Sequence, residues 1–336
     1  MQNELILKVE NLHTSFTVGP LNIPIVKGVS FEVYKGKTLA IVGESGCGKS
    51  VTVHSIVQLL PRNGRIDQGT VTYIEDNEEV RLDQLQRYGK KMRKIRGENI
   101  GMVFQDPMTS LNPVYRVGDQ VAESLMQHFK MKKKDAMKEV ISMLKKLGIP
   151  DPESRINDYP HQFSGGMKQR VVIATAMICN PDIIIADEPT TALDVTIQAQ
   201  IMELMKELQV KYNKSLILIT HNMGLVAEMA DQVAVMYMGR IVEYGSLTDI
   251  FEHPSHPYTK ALLRSVPVLG KQEGELLETI PGSTPNPLDC TVGCEFADRC
   301  EFAQEKCRIK DVPYRQLTPT HQVRCTLFEE HPEVVK

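Results

Sequence analysis

Three groups of residues in this chain combine side-chain type with spacing in a way that could do chemistry. The first is Gly43-Glu44-Ser45-Gly46-Cys47-Gly48-Lys49-Ser50, which fits the pattern G-x-x-x-x-G-K-S/T. There, small residues let successive backbone N–H groups curl round phosphate oxygens while a lysine reaches the terminal phosphates. Ser50 would supply an oxygen to Mg²⁺, and a helix entered through Val51 would turn its positive end towards the anion. The second is Asp187-Glu188, two acids that close the apolar run 183–186. A phosphate-cradling loop needs a second element to hold Mg²⁺ and a group to orient attacking water; Asp187 fits the first role and Glu188 the second. The third is Cys294, Cys300, Cys307 and Cys325, spaced x5, x6 and x17. Four thiolates suffice for a 4Fe–4S cluster or a tetrahedral Zn²⁺, and free thiols packing a small lobe are the third reading. Cys290 is a fifth candidate without a matching position, and His321 nearby reads as structural.

The elements around these residues are legible in outline. The run 39–42 reads as a strand feeding the glycine turn, with a helix-compatible run over 51–60 behind it. Residues 5–10 and 29–33 read as strands of an antiparallel sheet, with turns at Gly19-Pro20 and Lys35-Gly36-Lys37. From 105 to about 180 the pattern is helical and polar, and Met137, Val140, Ile141, Leu144 and Leu147 mark one apolar stripe. The runs 183–188 and 215–221 read as buried parallel strands whose polar residues, Asp187, Glu188 and His221, emerge at the carboxyl edge where ligands of open α/β sheets bind. A helix is expected over 195–212 between them, and two short strands over 233–237 and 240–243, separated by Gly239. Composition shifts after Pro267, and the proline-rich stretch 281–287 reads as a linker into the cysteine cluster.

The chain of 336 residues has room for one large domain or two modest ones, and a net charge of −3 gives no bulk reason to expect nucleic acid or acidic lipid as a partner. No apolar run reaches the ~18–20 residues of a membrane helix, and the start lacks the regions of a signal peptide. A cytosolic protein that meets a membrane only through a partner is expected. In a reducing compartment, five cysteines crowded into the last fifth of the chain point to metal rather than disulfides.

Residues 161–170, His-Gln-Phe-Ser-Gly-Gly-Met-Lys-Gln-Arg, resemble the signature sequence of ATP-binding cassette proteins, with Phe-Ser-Gly-Gly-Met where Leu-Ser-Gly-Gly-Gln is commonest. The phosphate loop, Gln105, this signature, Asp187-Glu188, Ala192-Leu193-Asp194 and His221 stand in that family's order, and the resemblance covers roughly 5–265. It implies an α/β fold: a P-loop NTPase, RecA-like core with an antiparallel β subdomain, an inserted helical subdomain at about 106–180, and here a small Cys-rich lobe. The division is then an ATP-binding domain over 1–265 and a C-terminal region over 266–336. Ser164 is suited to cap the helix beginning near Gly165, leaving backbone N–H groups of Gly165 and Gly166 open as a second phosphate site. In the family this signature closes on the γ-phosphate held by a partner subunit, which implies a head-to-tail pair with two ATP molecules. By the same resemblance Glu188 is the catalytic carboxylate, His221 contacts the γ-phosphate, Gln105 reaches Mg²⁺ and the attacking water, Lys49 and Asp194 belong to the ATP site, and Phe16 stands where an aromatic ring meets adenine.

The stretches 105–113, 191–200 and 256–263, with the Cys-rich tail, further resemble the ATPases of oligopeptide and dipeptide importers, and more the D-type than the F-type subunit. The tails of some resembling importers hold an iron–sulfur cluster, which favours 4Fe–4S over zinc here. The resemblance implies an ATPase peripheral to the cytoplasmic face of the membrane. It would pair with an F-type ATPase or a second copy, two transmembrane permeases and, indirectly, an extracellular binding protein. Related importers carry nickel, glutathione or oligosaccharides, so these are the alternative cargoes. A cassette ATPase acting on DNA or ribosomes, or a metal- or redox-sensing ATPase, is the rival of another class, but neither long coiled coils nor a second cassette is visible.

Overall fold

A run that alternates apolar and polar residues can bury one face of a strand only if a neighbour supplies its hydrogen bonds. The computed structural model, which describes residues 4–76, 78–191, 193–265, 280–286 and 292–328, shows how this is met at the start of the chain. Pro267, Pro287, Cys290 and Ala192 lie outside the described residues. Leu5–Val18 and Leu21–Tyr34 are strands of 14 residues each, longer than the short runs expected at 5–10 and 29–33. The polar residues between those runs stay extended because the four strands Leu21–Tyr34, Leu5–Val18, Gly64–Glu75 and Glu78–Arg81 lie side by side in that order.

The chain divides into two compact units. One is built on Leu5–Val33, Thr38–Asp83 and the chain from Thr220 onward; the other on Gln84–Ile219 with Tyr34–Lys37. In the first, Thr38–Val42 is buried at all five residues, as a strand covered on both faces should be. It pairs in parallel with Gln232–Tyr237, which pairs antiparallel with Arg240–Ser246. The Cys-rich end adds to the outer edge: Gln322–Val323 pairs with Arg240–Ser246, with Val323 opposite Glu243, and Arg315–Gln316 pairs with Gln322–Val323. Val42, Val235, Tyr237, Val242, Tyr258, Phe296, Cys294, Cys307 and Val312 form one apolar core, so the described part of the tail shares its interior with these strands.

The second unit holds a parallel set in which Ile183 lies opposite Ile100 on one side and Ser215 on the other. Its helices include Val117–His128, Lys133–Lys146, Gly165–Met177 and Val195–Tyr212. Lys133–Lys146 buries Val140 and Leu144, with Leu147 after it, while Met137 and Ile141 are half-buried at the border of the stripe. The helix at Val195–Tyr212 spans the expected range, because Asp194 caps its first turn: the carboxylate accepts from the Ile197 N–H at 3.0 Å. Among the described residues no helix is long and apolar enough to cross a membrane.

Candidate active site

In the first unit, Gly43–Ser50 follows the strand Thr38–Val42 and leads into the helix Lys49–Ile56. Two glycines are required by close approach. A Cβ on Gly43 would lie 2.1 Å from the Met236 carbonyl oxygen, and Gly48, at φ +103°, would press one against the Ile25 carbonyl oxygen. Lys49 turns back on the loop, its Nζ donating to the carbonyl oxygens of Gly43 at 2.8 Å and Glu44 at 3.0 Å. Ser45 and Gly46 are exposed at the tip and Cys47 is buried beneath it, where desolvation raises its thiol pKa. His221 is exposed and is followed by Asn222, whose side chain caps the helix Met223–Met229 by accepting from the Gly224 N–H at 2.9 Å. Phe16 is half-buried, opposite Gly64 on the neighbouring strand, and a Cβ on Gly64 would meet its ring at 2.6 Å.

In the second unit the acids take two environments. Asp187, at the end of the strand Ile183–Asp187, is 3% exposed. Glu188 is half-buried and leaves the strand direction at φ +45°. Its Oε2 accepts from Gln105 Nε2 at 3.1 Å and from Thr191 Oγ1 at 2.9 Å, so two residues named by the sequence, 83 positions apart, are in contact. The signature also takes its expected form. Ser164 precedes the helix Gly165–Met177 and its Oγ accepts from the Met167 N–H at 3.3 Å, while Ser164 and Gly165 are exposed. Gly166 is needed for packing: a Cβ there would stand 2.8 Å from Ile197 Cγ2. Asp194 is exposed beside Val195, itself 81% exposed.

Cys294, Cys300, Cys307 and Cys325 line one small cavity in the first unit, together with His256, Ala297, Phe302 and Thr326. None is in a disulfide, and burial pushes Cys294 up to about 12 and Cys325 to about 11. Among the described residues no three ligand-type side chains close round a point as the ligands of a single ion do. His321 is structural: its Nε2 lies 2.8 Å from the buried Glu243 carboxylate, which also accepts from the backbone N–H groups of Ser255 and His256. Three residues of this region lie in stretches that carry the resemblance, but no role for them was read from the sequence. Arg299 pairs with Glu44 of the phosphate loop across 255 positions, Tyr258 Oη accepts from the Glu44 N–H at 2.8 Å, and Arg324 is buried against Glu295 at 2.7 Å.

Comparison with known proteins places this arrangement. Residues 26–191 match the family model of ABC transporters, and the chain is 53% identical over 331 residues to the dipeptide transport ATP-binding protein DppD of Bacillus subtilis, with 98% of this chain and 97% of that protein covered. The chain therefore belongs to the ABC transporter ATPases. Residues 242–307 match a second family model, the oligopeptide/dipeptide transporter C-terminal region. It is also 48% identical to the oligopeptide transport ATP-binding protein OppD of Bacillus subtilis, over 98% of this chain and 90% of that one. Among solved structures, the dimeric post-hydrolysis state of the ATP-binding cassette MJ0796, bound to ADP and Pi, matches with a TM-score of 0.63 at 29% identity, over 72% of this chain and 99% of that one.

Proposed function

We propose that this chain is the ATP-hydrolysing subunit that powers an importer of dipeptides or oligopeptides. The observation that carries the reading is near full-length similarity to DppD, through the Cys-rich end, in a chain whose P-loop, signature cap and Gln105–Glu188 contact are all formed. Gly43 to Ser50 and Val51 cradle the ATP phosphates through backbone N–H groups, and Lys49 leaves its two carbonyls for the terminal phosphates. Ser50, Gln105 and Asp187 would hold Mg²⁺, which supplies charge neutralisation as the phosphoryl group departs. Glu188 accepts a proton from the attacking water, held at its station by Gln105 and Thr191. His221 contacts the γ-phosphate and Phe16 the adenine.

The exposed N-terminus of the helix Gly165–Met177, with Ser164, Gly165 and Gly166, serves a nucleotide held by a second subunit, an F-type ATPase or another copy, and Asp194 joins it there. Phe104, Met108, Val114 and Tyr115 are exposed apolar residues within a dozen positions, a surface suited to a helix of a membrane permease. With two permeases and, through them, an extracellular binding protein, the chain would work at the cytoplasmic face of the membrane without nucleic acid. The ATP-binding domain is assigned to 1–265 and the C-terminal region to 266–336.

Two observations support reading the cysteine cavity as a site for a 4Fe–4S cluster. Four cysteines line it, and so does His256, whose buried Nε2 has no hydrogen-bond partner among the described residues. Because His256 Nδ1 accepts from the Tyr258 N–H at 3.0 Å, the proton lies on Nε2, which can donate to a sulfur. A single zinc would need four sulfurs about 2.3 Å from one point. Cys294, Cys300, Cys307 and Cys325 would hold the cluster, which would brace the lobe. The test of function is reconstitution with the permeases and binding protein in vesicles. Peptide should stimulate ATP hydrolysis severalfold, and stimulation only by nickel, glutathione or an oligosaccharide would replace the cargo.

A further inference from the structure

Glu44 is an awkward residue to find in a loop that must accept a polyanion, because its carboxylate sits in the segment that would face phosphate. The structure deals with that charge. Arg299, between Cys294 and Cys300, grips it end-on: Nη1 donates to Glu44 Oε2 at 2.6 Å and Nη2 to Oε1 at 3.0 Å. The Arg299 side chain is only 5% exposed, its guanidinium lying over the rings of Tyr237 and Phe296 at 5.9 and 5.8 Å. Its remaining donors hold the Pro281 carbonyl oxygen at 2.8 Å and the Tyr237 hydroxyl at 3.3 Å. The backbone of Glu44 is held as well. Its N–H donates to Tyr258 Oη, and its carbonyl accepts from Lys49 Nζ. Tyr258 is fully buried, two residues after His256, which lines the cysteine cavity.

We infer that Arg299 is a positioning residue for ATP binding: the Cys-rich lobe neutralises and anchors Glu44, so that the phosphate loop is set in place and free of a local negative charge before nucleotide arrives. This rests on the reading of Gly43 to Ser50 as the phosphate-binding loop. Two physical effects act together. A planar guanidinium in bidentate contact cancels a carboxylate better than a mobile lysine can, and a loop fixed in advance loses less entropy on binding. Both act on affinity for nucleotide rather than on the chemical step. Whatever fills or empties the cysteine cavity would therefore be felt at the ATP site through Arg299 and Tyr258.

The experiment is a double-mutant cycle on the full chain, read by fluorescence titration with Mg²⁺ and a ribose-labelled fluorescent ATP. Arg299→Ala should weaken binding about tenfold and raise KM for ATP to match, while kcat at saturating ATP changes less than twofold. In the Glu44→Gln background the same Arg299→Ala change should cost less than twofold, because there is no longer a charge to neutralise. Equal costs in both backgrounds, or Arg299→Ala binding as tightly as the unaltered chain, would overturn the inference. If circular dichroism shows that Arg299→Ala does not fold, Arg299→Lys replaces it in the same cycle, with an expected threefold loss that again vanishes in the Glu44→Gln background. Lys49→Ala separates the two layers. Undiminished binding there refutes the phosphate-loop reading itself; lost binding there, with no Arg299 effect, refutes only the inference.

Discussion

The two elements proposed to bind phosphate, the loop Gly43–Ser50 and the start of the helix Gly165–Met177, are built on opposite plans. The loop Gly43–Ser50 is buttressed: Lys49 is parked on two of its carbonyls, Glu44 is held at its N–H by Tyr258, at its carbonyl by Lys49 and at its carboxylate by Arg299, so the Cys-rich lobe at the far end of the sequence supplies one of those three contacts. The signature is presented. Ser164 caps its own helix, and both it and Gly165 beside it are exposed. On the proposed function, the difference teaches that a loop keeping its nucleotide within one chain can be preset by that chain, whereas a surface meant for a partner's nucleotide must stay open until the partner comes.

The sharpest way to break this contrast is at Glu188. Glu188→Gln should lower phosphate release by roughly 10²–10⁴-fold, while ATP-dependent pairing persists by light scattering; undiminished turnover would remove Glu188 from the chemistry. On the presented side, Gly165→Asp puts an anion at a helix N-terminus that should receive phosphate. Turnover should fall at least tenfold, with fluorescent-ATP binding to the isolated chain changed less than twofold, and loss of that binding would show that the signature serves its own chain's nucleotide. On the buttressed side, replacing Cys294, Cys300, Cys307 and Cys325 by serine should abolish bound iron and absorbance near 400 nm. His256→Leu, which spares all four thiolates, should speed iron loss to a chelator severalfold, and colourless zinc protein would displace the cluster.

The smallest expected effect concerns how the tail is pinned. Burial pushes the Asp249 carboxyl pKa up, but hydrogen bonds from Ser246 and from Thr320 Oγ1, the latter at 2.8 Å, hold it below the usual range. Its contribution is therefore present above the unfolded carboxyl pKa and lost as pH falls through the lower folded value. Asp249→Asn should cost about 1 kcal/mol at pH 7 through the broken capping box, and less in urea titrations at pH 3; an equal cost at both would sink the assignment.

Local chemistry made much of this legible from residues alone. Ser164 before Gly165 is a cap whose effect ends within one turn, so the start of that helix was readable. The strands that end at Asp187 and at Thr220, just before His221, were readable because buried parallel strands leave continuous apolar runs. What stayed hidden depends on partners far along the chain. The hairpin arms outrun their apolar stretches because neighbouring strands satisfy the polar residues between them. Arg299 and Glu44 leave no periodic trace, and a single arginine between two cysteines reads as surface until its carboxylate is located.

One detail of the second unit bears on how the protein could be altered. Glu188 sits at φ +45°, a backbone region that a residue with an ordinary side chain enters at a cost of about 1–3 kcal/mol and that glycine enters freely. Glu188→Gly should therefore relax the backbone as it removes the carboxylate, so that folding gains at the expense of the turnover assigned to Glu188 in the proposed function. Selection for heat resistance alone would be expected to favour replacing this residue, so thermal screens of the protein should be run under a demand for activity.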